Sequence, residues 1–138
     1  MSRSGRDRGA AAVEFALLMP LLLVLLLGIM EFGYAFFVQA TVAGAARVGA
    51  RYYAIAYSSP DATTAANAVD TAIAMAKSAV PDPTGVDDSA TKFTTTCAAG
   101  AQTTFIVTYR YQSMTGLFDS IVGTSLAITG KGSMQCGG

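Results

Sequence analysis

Residues 15–38 read FALLMPLLLVLLLGIMEFGYAFFV, and this stretch decides the architecture. Glu31 is its single charged residue. As a helix, about 24 residues extend roughly 36 Å, against a hydrocarbon core of about 30 Å. One membrane span fits, with Glu31 near one end. No later stretch is as long and as apolar. Upstream, Arg3, Arg6 and Arg8 outnumber Asp7. Basic flanks stay inside, so the N-terminus is expected in the cytoplasm and the residues beyond about 40 outside.

The composition agrees with a membrane protein carrying one small outer domain. The chain has 138 residues, of which 52% are hydrophobic and 13% charged. That is half the charge of an average soluble domain, about 25%. Nine basic residues balance nine acidic ones, which gives no footprint for nucleic acid. There is no His, so imidazole-based zinc sites, Ser-His-Asp triads and Cys-His dyads are excluded. No enzyme, cofactor or metal site is expected. Ser89-Ala90-Thr91-Lys92 has S-x-x-K spacing but lacks the companion motifs of acyl-enzymes. Asp82, Asp87 and Asp88 lie close together but lack the ligand spacing of a calcium loop, and read as a solvated acidic loop. Gly130-Lys131-Gly132 has no strand–loop–helix context and is no phosphate loop.

Beyond the span the helical pattern continues. Val38, Val42, Ala45, Ala46, Gly49 and Tyr53 recur at intervals of three or four. One long helix is expected from about 10 to 57, with a kink or a melted turn at Pro20. Ser59 should cap a second helix with Pro60 in its first position. Val69, Ala72, Ile73, Ala76 and Val80 mark its apolar stripe, and Pro81-Asp82-Pro83 stops it. From Lys92 the period becomes two. Strands are expected over 92–97, 103–112 and 125–136, with Phe93 and Cys97, then Phe105, Val107, Tyr109 and Tyr111, then Leu126, Ile128, Met134 and Cys136 on their apolar faces. The fold class is therefore α+β, a long N-terminal transmembrane helix leading into a small extracytoplasmic domain (residues 58–138) with a second helix and a three-stranded antiparallel sheet. The two helices should cover the sheet's apolar face. Two cysteines in an oxidising compartment predict one disulfide, Cys97–Cys136, worth about 3–4 kcal/mol by the chain-entropy argument.

The entry to the span has its own chemistry. Gly9 follows a basic stretch, and Glu14 enters an apolar helix five residues later. A carboxylate at the membrane edge costs a few kcal/mol unless paired. A cut after Gly9 would leave Ala10 with a free ammonium group, which Glu14 of a neighbouring subunit would pair with as helices pack. Arg47 and Arg51 form an i,i+4 pair suited to headgroups, other subunits or water. Ala40, Gly44, Ala45 and Gly49 have the small-residue spacing of close helix packing. Glu31 reads as a headgroup-solvated carboxylate or as a polar contact with another span.

The stretch RGAAAVEFALLMPLLLVLLLGIMEFGYAFFVQATVAGAARVGARYYA resembles the TadE-like family, minor pseudopilins of the tight-adherence (Tad, or Flp) pilus. The resemblance rests on Gly9 with Glu14-Phe15, the leucine run around Pro20, Glu31-Phe32, and Ala45-Ala46-Arg47 leading to Gly49-Ala50-Arg51-Tyr52. It implies a cytoplasmic leader over 1–9, cut between Gly9 and Ala10 by a prepilin peptidase. It implies assembly through Glu14 and Phe15 with other pilin and pseudopilin subunits and with the Tad membrane platform proteins. It also implies a single-pass place in the inner-membrane lipid and a role in pilus assembly for adherence and biofilm formation. The competing reading is a secreted, disulfide-containing domain released by signal peptidase near Ala45, after Ala43-Gly44-Ala45.

Overall fold

The structure, a computed structural model, describes residues 4–116, 119, 120, 123 and 126–137, with side chains from residue 9 onward. The basic flank of Arg3, Arg6, Asp7 and Arg8, which carries the expected orientation, lies outside the described side chains, as does Ser125 at the expected start of the third strand.

Helix α1 runs Ser4–Ala56 over 53 residues, starting earlier than the sequence suggests and ending one residue sooner. Ala and Leu dominate it and have high helix propensity. It passes through Pro20 without a break, so the expected melted turn does not form. Proline there removes one donor and crowds the preceding turn at a cost of about 3 kcal/mol, which a helix of 53 residues absorbs. The end is sharper. Ser58 Oγ donates to the Ile55 carbonyl at 3.1 Å and Ser59 N–H donates to Ala56 at 3.1 Å, just before Pro60, which has no N–H to continue the ladder.

The second helical segment is two pieces, α2 (Ala62–Ala66) and α3 (Ala68–Ser78). Its cap is Asp61, not Ser59, and Pro60 precedes the cap rather than opening the helix. Asp61 wins because its carboxylate accepts from Thr63 N–H and from the hydroxyls of Thr63 and Thr64 together. A carboxylate at the positive helix end is also favoured by the peptide dipoles. Those contacts hold Asp61 at a pKa of about 2. The stripe holds at Ala72, Ile73, Ala76 and Val80, but Val69 is exposed and Ala68 takes the buried place. Within α3 the buried line runs Ala68, Ala72 and Ala76 at intervals of four, which leaves Val69 on its solvent-facing edge.

A single 3-10 turn, Pro83–Gly85, follows, capped by Asp82 through Thr84. The sheet is β1 (Lys92–Phe93), β2 (Gln102–Tyr111) and β3 (Leu126–Gln135), antiparallel in the order β1-β2-β3. Strand β1 is much shorter than the expected 92–97. Beyond Phe93 threonine hydroxyls take over from the ladder: Thr94 Oγ1 donates to the Thr104 carbonyl, Thr95 Oγ1 to Gln102, and Thr103 Oγ1 to Thr95. On β2 the alternation is as expected, with Phe105, Val107, Tyr109 and Tyr111 all buried.

Helix α1 lies directly on β3. A side chain at Gly130 would collide with the backbone of Val42 and Ala43, and one at Gly132 with the backbone of Ala46 and Arg47. Val42 to Ala46 is one helical step of about 6 Å, and Gly130 to Gly132 is two strand residues, about 6.6 Å. The two backbones therefore advance together, and β3 runs in the same direction as α1. Opposite the glycines in the sheet, Phe105 pairs with Gly132 and Val107 with Gly130. The core fills between Val38, Val42, Ala46, Phe105 and Val107, all fully buried. Each large apolar group contributes about 1.5–3 kcal/mol.

Candidate functional site

Two regions of α1 divide the molecule's chemistry. From Gly9 to Met30 the helix is bare: every residue there is exposed except Gly28, which is half-buried, and Glu14 is the one charge. This stretch of about 22 residues is roughly 33 Å long, enough for one bilayer crossing. It is the candidate membrane anchor, by length and composition. From Glu31 onward the domain that follows α1 covers one face of the same helix. The covered face starts inside the expected 15–38 span, at Glu31, Tyr34, Ala35 and Val38.

Glu31 is where the two regions meet, and it is not solvated by headgroups. The residue is 6% exposed and the chain's own domain supplies its partners. Tyr111 donates its hydroxyl to Oε1 at 2.8 Å, and Met114 N–H donates to the same oxygen at 3.1 Å. Thr115 donates to Oε2 through its N–H at 3.4 Å and its hydroxyl at 3.2 Å. Charge-assisted bonds of this kind are stronger than neutral ones, and they satisfy a carboxylate that would otherwise be costly to bury. Burial and the adjoining Glu31 carboxylate raise the Tyr111 phenol well above its ordinary value, so it stays a donor. Tyr34 packs against the Tyr111 ring at 5.8 Å and closes the side of the clamp.

The residues singled out at the helix start stay apart from this clamp. Gly9, Ala10, Glu14 and Phe15 are all exposed on the bare helix. Glu14 lies seventeen residues before Glu31, roughly 25 Å along the axis. The Gly9–Ala10 bond lies within α1. Cys97 and Cys136 are brought together as expected, disulfide-bonded with Cα atoms 5.6 Å apart. The bridge is buried in a second apolar cluster with Tyr53, Ala54, Ala68 and Ala72. It ties the end of β3 to the loop before β2.

Other expectations change. Arg47 and Arg51 are both exposed, and Arg47 sits sixteen residues past Glu31, roughly 24 Å beyond the bare helix. Ala45 and Gly49 are buried against the chain's own domain, with Gly49 under the Phe105 ring, so that part of the small-residue pattern is consumed internally. Ser89 donates its hydroxyl to Asp87 at 2.6 Å. The acidic loop is engaged group by group: Asp82 caps the 3-10 turn, Asp87 pairs with Arg110 at 2.9 Å, and Asp88 pairs with Lys77. A cut near Ala45 would remove Glu31, Val38 and Val42 from the domain that encloses them, which counts against a released domain.

Two features escaped the reading of the sequence. Tyr111 closes on Glu31 from 80 positions away, and nothing local marks that pairing. Gly130 and Gly132 had a signal, since glycines on the inward face of a strand often mark close backbone approach.

Neither a curated protein nor a solved structure matches the chain. Residues 9–51 match the family described as TadE-like protein. That segment takes in the whole bare helix, Glu31, and the face of α1 that seats on Gly130 and Gly132. Over residues 9–51, therefore, the chain is similar to the TadE-like family.

Proposed function

We propose that this protein is a minor pseudopilin that acts in assembling or initiating a tight-adherence pilus, and so in adherence and biofilm formation. The observation that carries the reading is the TadE-like match over a helix whose first half is bare and holds a single carboxylate, Glu14. In this reading a prepilin peptidase cuts between Gly9 and Ala10. The helix then sits in the inner membrane with its start inside and its domain outside. Glu14 pairs with the new Ala10 ammonium group of a neighbouring subunit, and Phe15 packs beside it. A carboxylate in hydrocarbon is costly alone, so the pairing favours lateral assembly in one register. The partners are other pilin and pseudopilin subunits and the Tad platform proteins. The disulfide and the Glu31 clamp suit a domain that must stay folded outside the cell.

The test is the intact mass of the protein from its host's membrane fraction, with and without the prepilin peptidase. A chain beginning at Ala10 only when the peptidase is present supports the reading. A membrane form still beginning at Met1, or a soluble form beginning near Ala46, overturns it.

A further inference from the structure

The bare helix and the domain end at different heights on the two sides of α1. On the domain side the cover starts at Glu31. On the other side apolar side chains stay exposed further out, with Phe36 at 68% and Phe37 at 57%. Phe37 lies six residues beyond Glu31, roughly 9 Å along the axis.

The sheet fixes which end of the domain faces the bare helix. Strand β3 runs with α1, and β2 runs against it. The end of β2 and the start of β3, Tyr111 opposite Leu126, therefore lie nearest the anchor. Glu31 holds Met114 and Thr115 at that level through their N–H groups. Among the described residues, Met114 at 66% and Leu126 at 48% expose apolar side chains there. Leu126 also lines an apolar pocket of about 100 Å³ with Glu31, Phe32, Ala35 and Tyr111. The nearby Asp119 carboxylate accepts from Ser113 N–H at 3.3 Å.

A flat bilayer surface that covers Phe37 on one side must reach past Met114 on the other. We propose that the near end of the outer domain rests in the headgroup layer, with Met114 and Leu126 inserted among the lipid chains at the depth of Phe36 and Phe37. The occupant is lipid, because the surface is continuous with the membrane-spanning face of the same helix. The depth matches the roughly 5–10 Å reached by interfacial apolar faces. The Glu31 clamp then acts as a spacer: it shields the carboxylate from lipid and sets the height of the domain. This inference rests on the membrane-spanning part of the proposed function.

The chain contains no Trp, so single-Trp variants report one site each. The full chain is reconstituted in phosphatidylcholine vesicles brominated on the acyl chains, near the headgroup in one set and near the chain ends in another. Val24→Trp reports the span, Met114→Trp and Leu126→Trp the near end, and Ile55→Trp the far end, roughly 36 Å beyond Glu31. All four positions are exposed, so the substitutions leave the core untouched. The expected result is that Met114→Trp and Leu126→Trp lose most of their emission to bromine while Ile55→Trp keeps its own. Quenching of Val24→Trp with Met114→Trp and Leu126→Trp as bright as Ile55→Trp overturns the proposal and leaves the span intact. A blue shift at Met114→Trp without bromine quenching means contact with another protein copy, and also overturns it. An unquenched Val24→Trp overturns the spanning reading itself.

Discussion

Tyr111 donates its hydroxyl to Glu31 at 2.8 Å across 80 positions of sequence, joining the last residue of β2 to the helix where its bare half ends. Together with the seat of α1 on Gly130 and Gly132, this bond holds the domain against the helix.

Tyr111→Phe removes that donor and leaves the carboxylate with the Met114 and Thr115 groups. Hydrogen bonds to charged groups are worth about 1.5–3 kcal/mol, and a loss in that range is expected in urea unfolding of the full chain in detergent. Glu31→Gln should cost less than Glu31→Ala, since the amide oxygen still accepts from one side. Wild-type stability in Tyr111→Phe would show the clamp to be idle.

Gly132→Ala places a methyl group against the Ala46 carbonyl. Neither backbone can yield without moving α1 off the sheet. A destabilisation of about 1–3 kcal/mol is expected, against almost none for Lys131→Ala on the exposed face of the same strand. Equal unfolding midpoints for the two variants would contradict the close seating.

Reducing the Cys97–Cys136 bridge should lower stability by about 3–4 kcal/mol, because it releases a loop of about 40 residues in the unfolded chain. The Cys97→Ser, Cys136→Ser double variant should match the reduced protein. Hydrogen exchange should rise first around the loop before β2 and the end of β3, the two segments that the bridge joins.

Asp87 accepts from the Ser89 hydroxyl and from Arg110, which lower its pKa from 3.8 to about 2. The folded value lies below the unfolded one. Its stabilisation is therefore present above pH 3.8 and lost as pH falls toward 2. Asp87→Asn should flatten this part of the acid-unfolding curve. An unchanged acid limb in the variant would remove Asp87 from the account.

The stripe from Val38 to Tyr53 was legible because a helix repeats its inward face every three or four residues, and all six positions named there are buried. Strand β2 was legible for the same reason at period two. Strand β1 was not, since threonine hydroxyls compete with the ladder and only packing decides between them. Asp61 displaced Ser59 as cap because its carboxylate meets three donors at once, a count that depends on how the turn closes.

Sequence alone determined the apolar anchor, the α+β order, the disulfide and the TadE-like segment, because each depends on local period, length or residue type. Tertiary structure alone decided the partners of Glu31 and the seat of α1 on Gly130 and Gly132. Those contacts join residues some 80 or more positions apart, and no local preference encodes a distance that only the folded chain closes.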